Sequence, residues 1–133
     1  MLGVDTNVLV RFLILDDELQ FAKVQSLFRR ENNKPIYLSA LVLAETFTVL
    51  TKVKKFPVAA VLESYRLLLR SPDVVVEGPA MVTAAIEDAA RSGAGFPDAL
   101  IALQNAEAGC VTTATFDKRA IRLEAMSAAE DFV

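Results

Sequence analysis

The sequence predicts an α/β domain built on a parallel sheet, and three observations predict it. Short apolar or β-branched runs at 2–4, 36–38, 74–76 and 110–113 read as strands. Between them lie longer segments with apolar residues at helical spacing, so strands and helices alternate along the chain. Finally, 133 residues with 53% hydrophobic content fit one domain, 1–133, with a single core.

The elements follow in order. Leu2-Gly3-Val4 is the first strand and ends at Asp5. A helical pattern runs from Thr6 to about Leu15, and Asp16-Asp17-Glu18 opens a second helix carrying Phe21, Val24, Leu27 and Phe28. Asn32-Asn33-Lys34-Pro35 is a turn before the second strand, Ile36-Tyr37-Leu38. Ser39 is a good N-cap for a helix to about Lys52. Pro57 precedes a helix whose Val58, Val61, Leu62, Tyr65, Leu68 and Leu69 form one stripe. Val74-Val75-Val76 is the third strand. Gly78-Pro79 starts a helix with Met81, Val82, Ala85, Ile86 and Ala89 on one face. Pro97 opens the next helix, and Gly109 stops it. Residues 110–113 are the fourth strand, with Cys110 a small buried hydrophobe. Asp117 starts a last short helix, and Asp131-Phe132-Val133 adds a fifth strand.

Composition narrows the chemistry. There is no histidine, which excludes Ser-His-Asp and Cys-His enzymes and zinc sites of the His/Cys kinds. The single cysteine forbids an internal disulfide and suits a reducing cytosol, so a cytoplasmic protein is expected. No signal peptide and no membrane span are expected, because the apolar runs are short. A net charge of −3 is not the footprint of a general nucleic-acid binder, although a site made of acids lowers the net charge by itself. Catalysis falls to carboxylates, lysines, hydroxyls or a hard metal ion.

Four acids are candidates. Asp5 and Asp117 each follow a strand and precede a helix, so each taken singly reads first as an N-cap. Asp98 sits in the first turn of its helix, where a negative charge suits the dipole. Glu45 differs. It lies in mid-helix with Leu41, Val42 and Val49 as helical neighbours, on or beside an apolar face, with no Lys or Arg three or four positions away. An unpaired buried carboxylate is costly and calls for a cation. Ligands of parallel sheets sit beyond the carboxyl ends of the strands, where Asp5 and Asp117 both fall. Four carboxylates there repel one another until a divalent cation reverses the sign. Oxygen-only donors select Mg²⁺ or Mn²⁺. One or two such ions activate water and stabilise an in-line phosphoryl transition state.

Val4-Asp5-Thr6-Asn7-Val8-Leu9-Val10-Arg11, Ala44-Glu45, Phe96-Pro97-Asp98-Ala99-Leu100-Ile101-Ala102 and Thr115-Phe116-Asp117-Lys118 resemble, in order, the motifs of the PIN-domain family. More narrowly they resemble the VapC-type toxins of toxin–antitoxin pairs, with Pro97 where those often carry Ala. The resemblance implies a three-layer fold, a parallel sheet of about five strands flanked by helices. It implies Mg²⁺- or Mn²⁺-dependent endonucleolytic cleavage of RNA, with Asp5, Glu45, Asp98 and Asp117 holding metal directly or through water. Asn7 and Thr115 match positions that help arrange such sites; Thr115 also reads as a local cap. The resemblance further implies a homodimer and a small antitoxin protein that blocks the site.

RNA phosphates need cations, and Arg11, Lys52, Lys54, Lys55, Lys118, Arg119 and Arg122 are the candidates, each also readable as a solvated surface group. Two other functions compete. One is a catalytically inactive PIN-like module that binds RNA or a partner. The other is a phosphatase with Asp5 as nucleophile, which wants a second acid where Asn7 stands.

Overall fold

The structure, a computed structural model, describes residues 1–14 and 18–133. The expected end of the first helix at Leu15 and the Asp16-Asp17 opening of the second therefore lie outside the described residues. The chain divides into two compact units, Met1–Pro79 and Ala80–Val133.

In the first unit, strands β1 (Leu2–Gly3), β2 (Ile36–Leu38) and β3 (Val74–Val76) form a parallel sheet in the order β1-β2-β3. The register pairs Gly3 with Tyr37 and Leu38 with Val76, so all three strands end at one edge. Helix α1 (Thr6–Leu13) and helix α2 (Glu18–Arg29) follow β1. The rings of Phe12 and Phe28 stack with centroids 3.9 Å apart and lock these two helices together. The second strand leads into α3 (Ala40–Thr48), and α4 (Val58–Arg70) leads back to β3. Each crossover in this sheet thus runs through helices, the usual connection between parallel strands.

The helix after Ser39 runs about as far as the sequence predicts, but only Ala40–Thr48 of it is α-helical. At Val49 the chain passes into a π-helical turn, Val49–Val53, and reverses through Lys55 at φ 62°. Its stop is set by Lys54 N–H bonding Val49 O and Phe56 N–H bonding Leu50 O. The α4 stripe packs inward through Val61, Leu62, Tyr65 and Leu68, whereas Val58 at its start is exposed. Tyr65 is buried and donates its hydroxyl to Leu43 O at 2.6 Å, joining α4 to α3. Burial raises the Tyr65 phenol above the ordinary tyrosine range. Thr46 of α3 is fully buried, and its hydroxyl has no hydrogen-bond partner among the described residues.

In the second unit, α5 begins at the boundary and spans Pro79–Ser92, burying Val82, Ala85, Ile86 and Ala89. Helix α6 spans Phe96–Glu107 and buries Phe96, Ala99, Leu100 and Ala102. Gly109, at φ 101°, reverses the chain after it. Strands β4 (Thr113–Thr115) and β5 (Met126–Ala128) pair in parallel. Asn105 of α6 donates to Thr113 Oγ1 at 3.0 Å and ties helix to strand.

The α/β class with parallel strands is as the sequence predicts, and five strands are present among the described residues. They form one sheet of three strands and one of two. Three local expectations are corrected. The fourth strand is 113–115, not 110–113, and Cys110 is exposed, because Cys110 N–H is spent on Asn105 O in the reversal after α6. The fifth strand is 126–128, and residues 129–132 form a 3-10 turn instead of a strand. The last helix after Asp117 is only a 3-10 turn, Ala120–Arg122.

Candidate metal centre

Asp5 and Glu45 lie in the first unit, Asp98 and Asp117 in the second. In the first unit Asp5 follows β1 and caps α1. Its Oδ1 accepts the Val8 N–H at 3.0 Å, and its carbonyl accepts the Leu9 N–H. The N-cap reading of Asp5 is therefore correct. The cap engages one carboxylate oxygen and leaves Oδ2 outside it, so capping does not compete with a second role.

Glu45 is exposed, which overturns the expectation that it sits on or beside an apolar face. The buried stripe of α3 is Ala40, Leu43 and Phe47, continued by Leu50 beyond it. Glu45 lies about 200° round the helix from Leu43 at roughly 100° per residue. Leu41, one turn earlier on that side, is 68% exposed. The cost of burial thus gives Glu45 no need of a cation. Its environment rests instead on one hydrogen bond, from Thr6 Oγ1 to Glu45 Oε2 at 2.7 Å. Thr6 is the first residue of α1 and the neighbour of Asp5. One hydroxyl therefore brings a glutamate 40 residues downstream to the amino end of the helix that Asp5 caps. Sequence reasoning missed Thr6 as a site residue; its only signal was a hydroxyl beside Asp5. Asn7, also expected to arrange the site, is exposed on the next position of α1.

Two further side chains hold α3 in place. Ser39 Oγ accepts the Val42 N–H at 3.1 Å, which is the predicted cap. Glu77, directly after β3, accepts the Ala40 N–H through Oε1 at 2.7 Å. Asp5, Ser39 and Glu77 each follow a strand of the same parallel sheet, at its carboxyl edge.

In the second unit Asp98 is half-buried in the first turn of α6, whose N-cap is Gly95. Pro97 sits in that first turn without disturbing it, because the amide it lacks has no helical acceptor there. Asp117 is exposed beyond β4. Its Oδ1 accepts the Arg119 N–H at 2.7 Å and the Ala120 N–H at 3.2 Å. Thr115 Oγ1 accepts the Asp117 N–H at 3.0 Å. Thr115 is thus a local cap, and what it fixes is the backbone of Asp117.

Asp5 and Glu45 offer carboxylate oxygens, the donors a hard divalent ion prefers, and neither forms an ion pair among the described residues. An oxygen-only set of this kind fits Mg²⁺ or Mn²⁺.

The basic candidates are distributed as follows. Lys52, Lys54 and Lys55 are exposed in and after the π turn. Lys118 and Arg119 are exposed beside Asp117, and Arg11 is half-buried in the last turn of α1. Arg122 donates to Ser92 O at 3.4 Å, so part of its guanidinium serves the end of α5.

A family model described as the PIN domain matches residues 3–126, all but the first two and last seven positions. No curated protein matches the sequence.

Proposed function

The chain belongs to the PIN-domain family, and from that premise we propose that it is a metal-dependent endoribonuclease and the toxin of a toxin–antitoxin pair. PIN domains are in general metal-dependent nucleases that bind RNA. In this reading the chain is one nuclease domain, and Asp5, Glu45, Asp98 and Asp117 hold one or two Mg²⁺ or Mn²⁺ ions. The observation that carries it is the Thr6–Glu45 hydrogen bond. A structural glutamate on an exposed helix face has no need of a hydroxyl aimed at it. A ligand does, because a carboxylate must be held to bind well.

A divalent ion bound there supplies Lewis acidity, which lowers the pKa of a water and offsets charge at phosphorus. The chain's own contribution is orientation. The Val8 N–H fixes Asp5, the Thr6 hydroxyl fixes Glu45, and two backbone N–H groups with Thr115 fix Asp117. Asp117 positions a second ion or the attacking water. A 3′ oxygen leaves, and the product carries a 5′-phosphate. Lys52, Lys54, Lys55, Lys118, Arg119 and Arg11 neutralise phosphates along the RNA. The same reading gives the protein a second copy of itself and a small antitoxin as partners, in the cytoplasm. No helix among the described residues is long and apolar enough to cross a membrane.

The test is cleavage of mixed RNA and mixed DNA pools by the purified protein with Mg²⁺, with Mn²⁺ and with EDTA, beside Asp98→Ala. Metal-dependent cutting of RNA alone, lost in the variant, is the expected result. A folded Asp98→Ala protein that cuts at the normal rate removes the assignment. Failure to bind Mn²⁺ and to cut favours the inactive binding module instead.

A further inference from the structure

We propose that Glu77 is a positioning residue for Glu45, tying the start of α3 to the sheet edge so that the Glu45 carboxylate stands where the Thr6 hydroxyl meets it. The inference rests on the metal-binding reading above. Glu77 lies just beyond β3, and its own N–H continues the ladder by bonding Leu38 O at 2.9 Å. Its backbone is therefore fixed to the sheet. Its side chain then reaches the first amide of α3, Ala40 N–H, at 2.7 Å. That amide has no partner inside its helix, and a carboxylate also suits the positive end of the helix dipole.

Helix α3 is thus held by three side chains from one sheet edge. Ser39 and Glu77 fix its first turn, and Thr6 meets it at Glu45. Glu45 lies five residues from Ala40, about 7.5 Å along the axis at roughly 1.5 Å per residue. A pivot at the first turn therefore displaces Glu45, and a binding constellation tolerates only about 0.5 Å of such movement. Among the described residues Glu77 forms no hydrogen bond with Glu45 or Asp5; its effect passes through the helix backbone.

The experiment is a Mn²⁺ titration of the full chain, read as the loss of the free-ion EPR signal, on wild type, Glu77→Ala, Glu77→Gln, Glu77→Asp and Glu45→Gln. Glutamine keeps the reach and the acceptor oxygen without the charge; aspartate keeps the charge and falls one carbon short. Expected are wild-type binding, roughly tenfold weaker binding in Glu77→Ala, near-wild-type binding in Glu77→Gln and a loss close to that of alanine in Glu77→Asp. Amide exchange at Ala40 should quicken in the alanine and aspartate variants. Wild-type affinity in Glu77→Ala overturns the proposal. So does the reversed pattern, with aspartate intact and glutamine impaired, which makes the effect one of charge. If Glu77→Ala does not fold, the glutamine and aspartate pair still decides. A wild type that binds no Mn²⁺, or a Glu45→Gln protein that binds as well as wild type, removes the metal reading itself and this proposal with it.

Discussion

Asp5 carries two roles that substitution can separate. Its Oδ1 caps α1 through the Val8 N–H at 3.0 Å, and its charge belongs to the proposed metal centre. Asparagine matches aspartate as a cap, whereas alanine removes the acceptor. Loss of a cap costs about 1 kcal/mol. Loss of the charge at an exposed helix end costs about 0.5 kcal/mol more. Asp5→Ala should therefore lose about 1.5 kcal/mol and Asp5→Asn about 0.5 kcal/mol. The difference, about 1 kcal/mol, corresponds to roughly 3–5 °C in Tm for a chain of this size. Thermal and urea unfolding in EDTA measure it without interference from metal. RNA cleavage with Mn²⁺ measures the other role, and both variants should lose it. Equal stability of the alanine and asparagine proteins would refute the cap. An Asp5→Asn protein that cuts normally would refute the metal role.

Other consequences follow from single contacts. Thr6→Val removes the hydroxyl that meets Glu45 Oε2, and should weaken Mn²⁺ binding roughly tenfold, with rescue by Thr6→Ser; unchanged binding in the valine variant counts against the hydrogen bond as a site feature. Thr46→Val replaces a buried, unpaired hydroxyl and should stabilise the fold by about 1 kcal/mol in urea unfolding; a loss of stability means that the hydroxyl has a partner. Tyr65→Phe loses the bond to Leu43 O and should cost about 1 kcal/mol at neutral pH. Burial raises the Tyr65 phenol, so above about pH 10 the unfolded chain releases this proton while the folded one keeps it. The wild type then loses up to about 1.4 kcal/mol per pH unit that the phenylalanine variant does not lose. The two stabilities should cross near about pH 11, and parallel pH profiles would show that Tyr65 titrates normally in the folded state.

Much of this protein was determined by sequence alone. Residues 36–38 and 74–76 are strands because β-branched and apolar side chains crowd there between turn residues. Ser39 and Asp5 are caps because short polar side chains reach the amides two or three residues on. Asp5, Asp98 and Asp117 stand out in the sequence because they fall at strand ends or helix starts, and Glu45 because of the motif around it; all of these are local properties of the chain. The environment of Glu45 was misread. Its helix carries apolar residues on every side, so periodicity cannot tell which side faces the core; packing against α1 and α4 buried Leu43 and Phe47 and left Leu41 and Glu45 outward. Where α3 stops, where β5 runs and how Cys110 is exposed depended on backbone bonds formed after chain reversals, which leave no compositional mark. Only tertiary structure could pair Thr6 with Glu45 and Glu77 with Ala40. Those bonds span 39 and 37 positions, and nothing short of the folded sheet edge brings such distant groups within reach of a hydrogen bond.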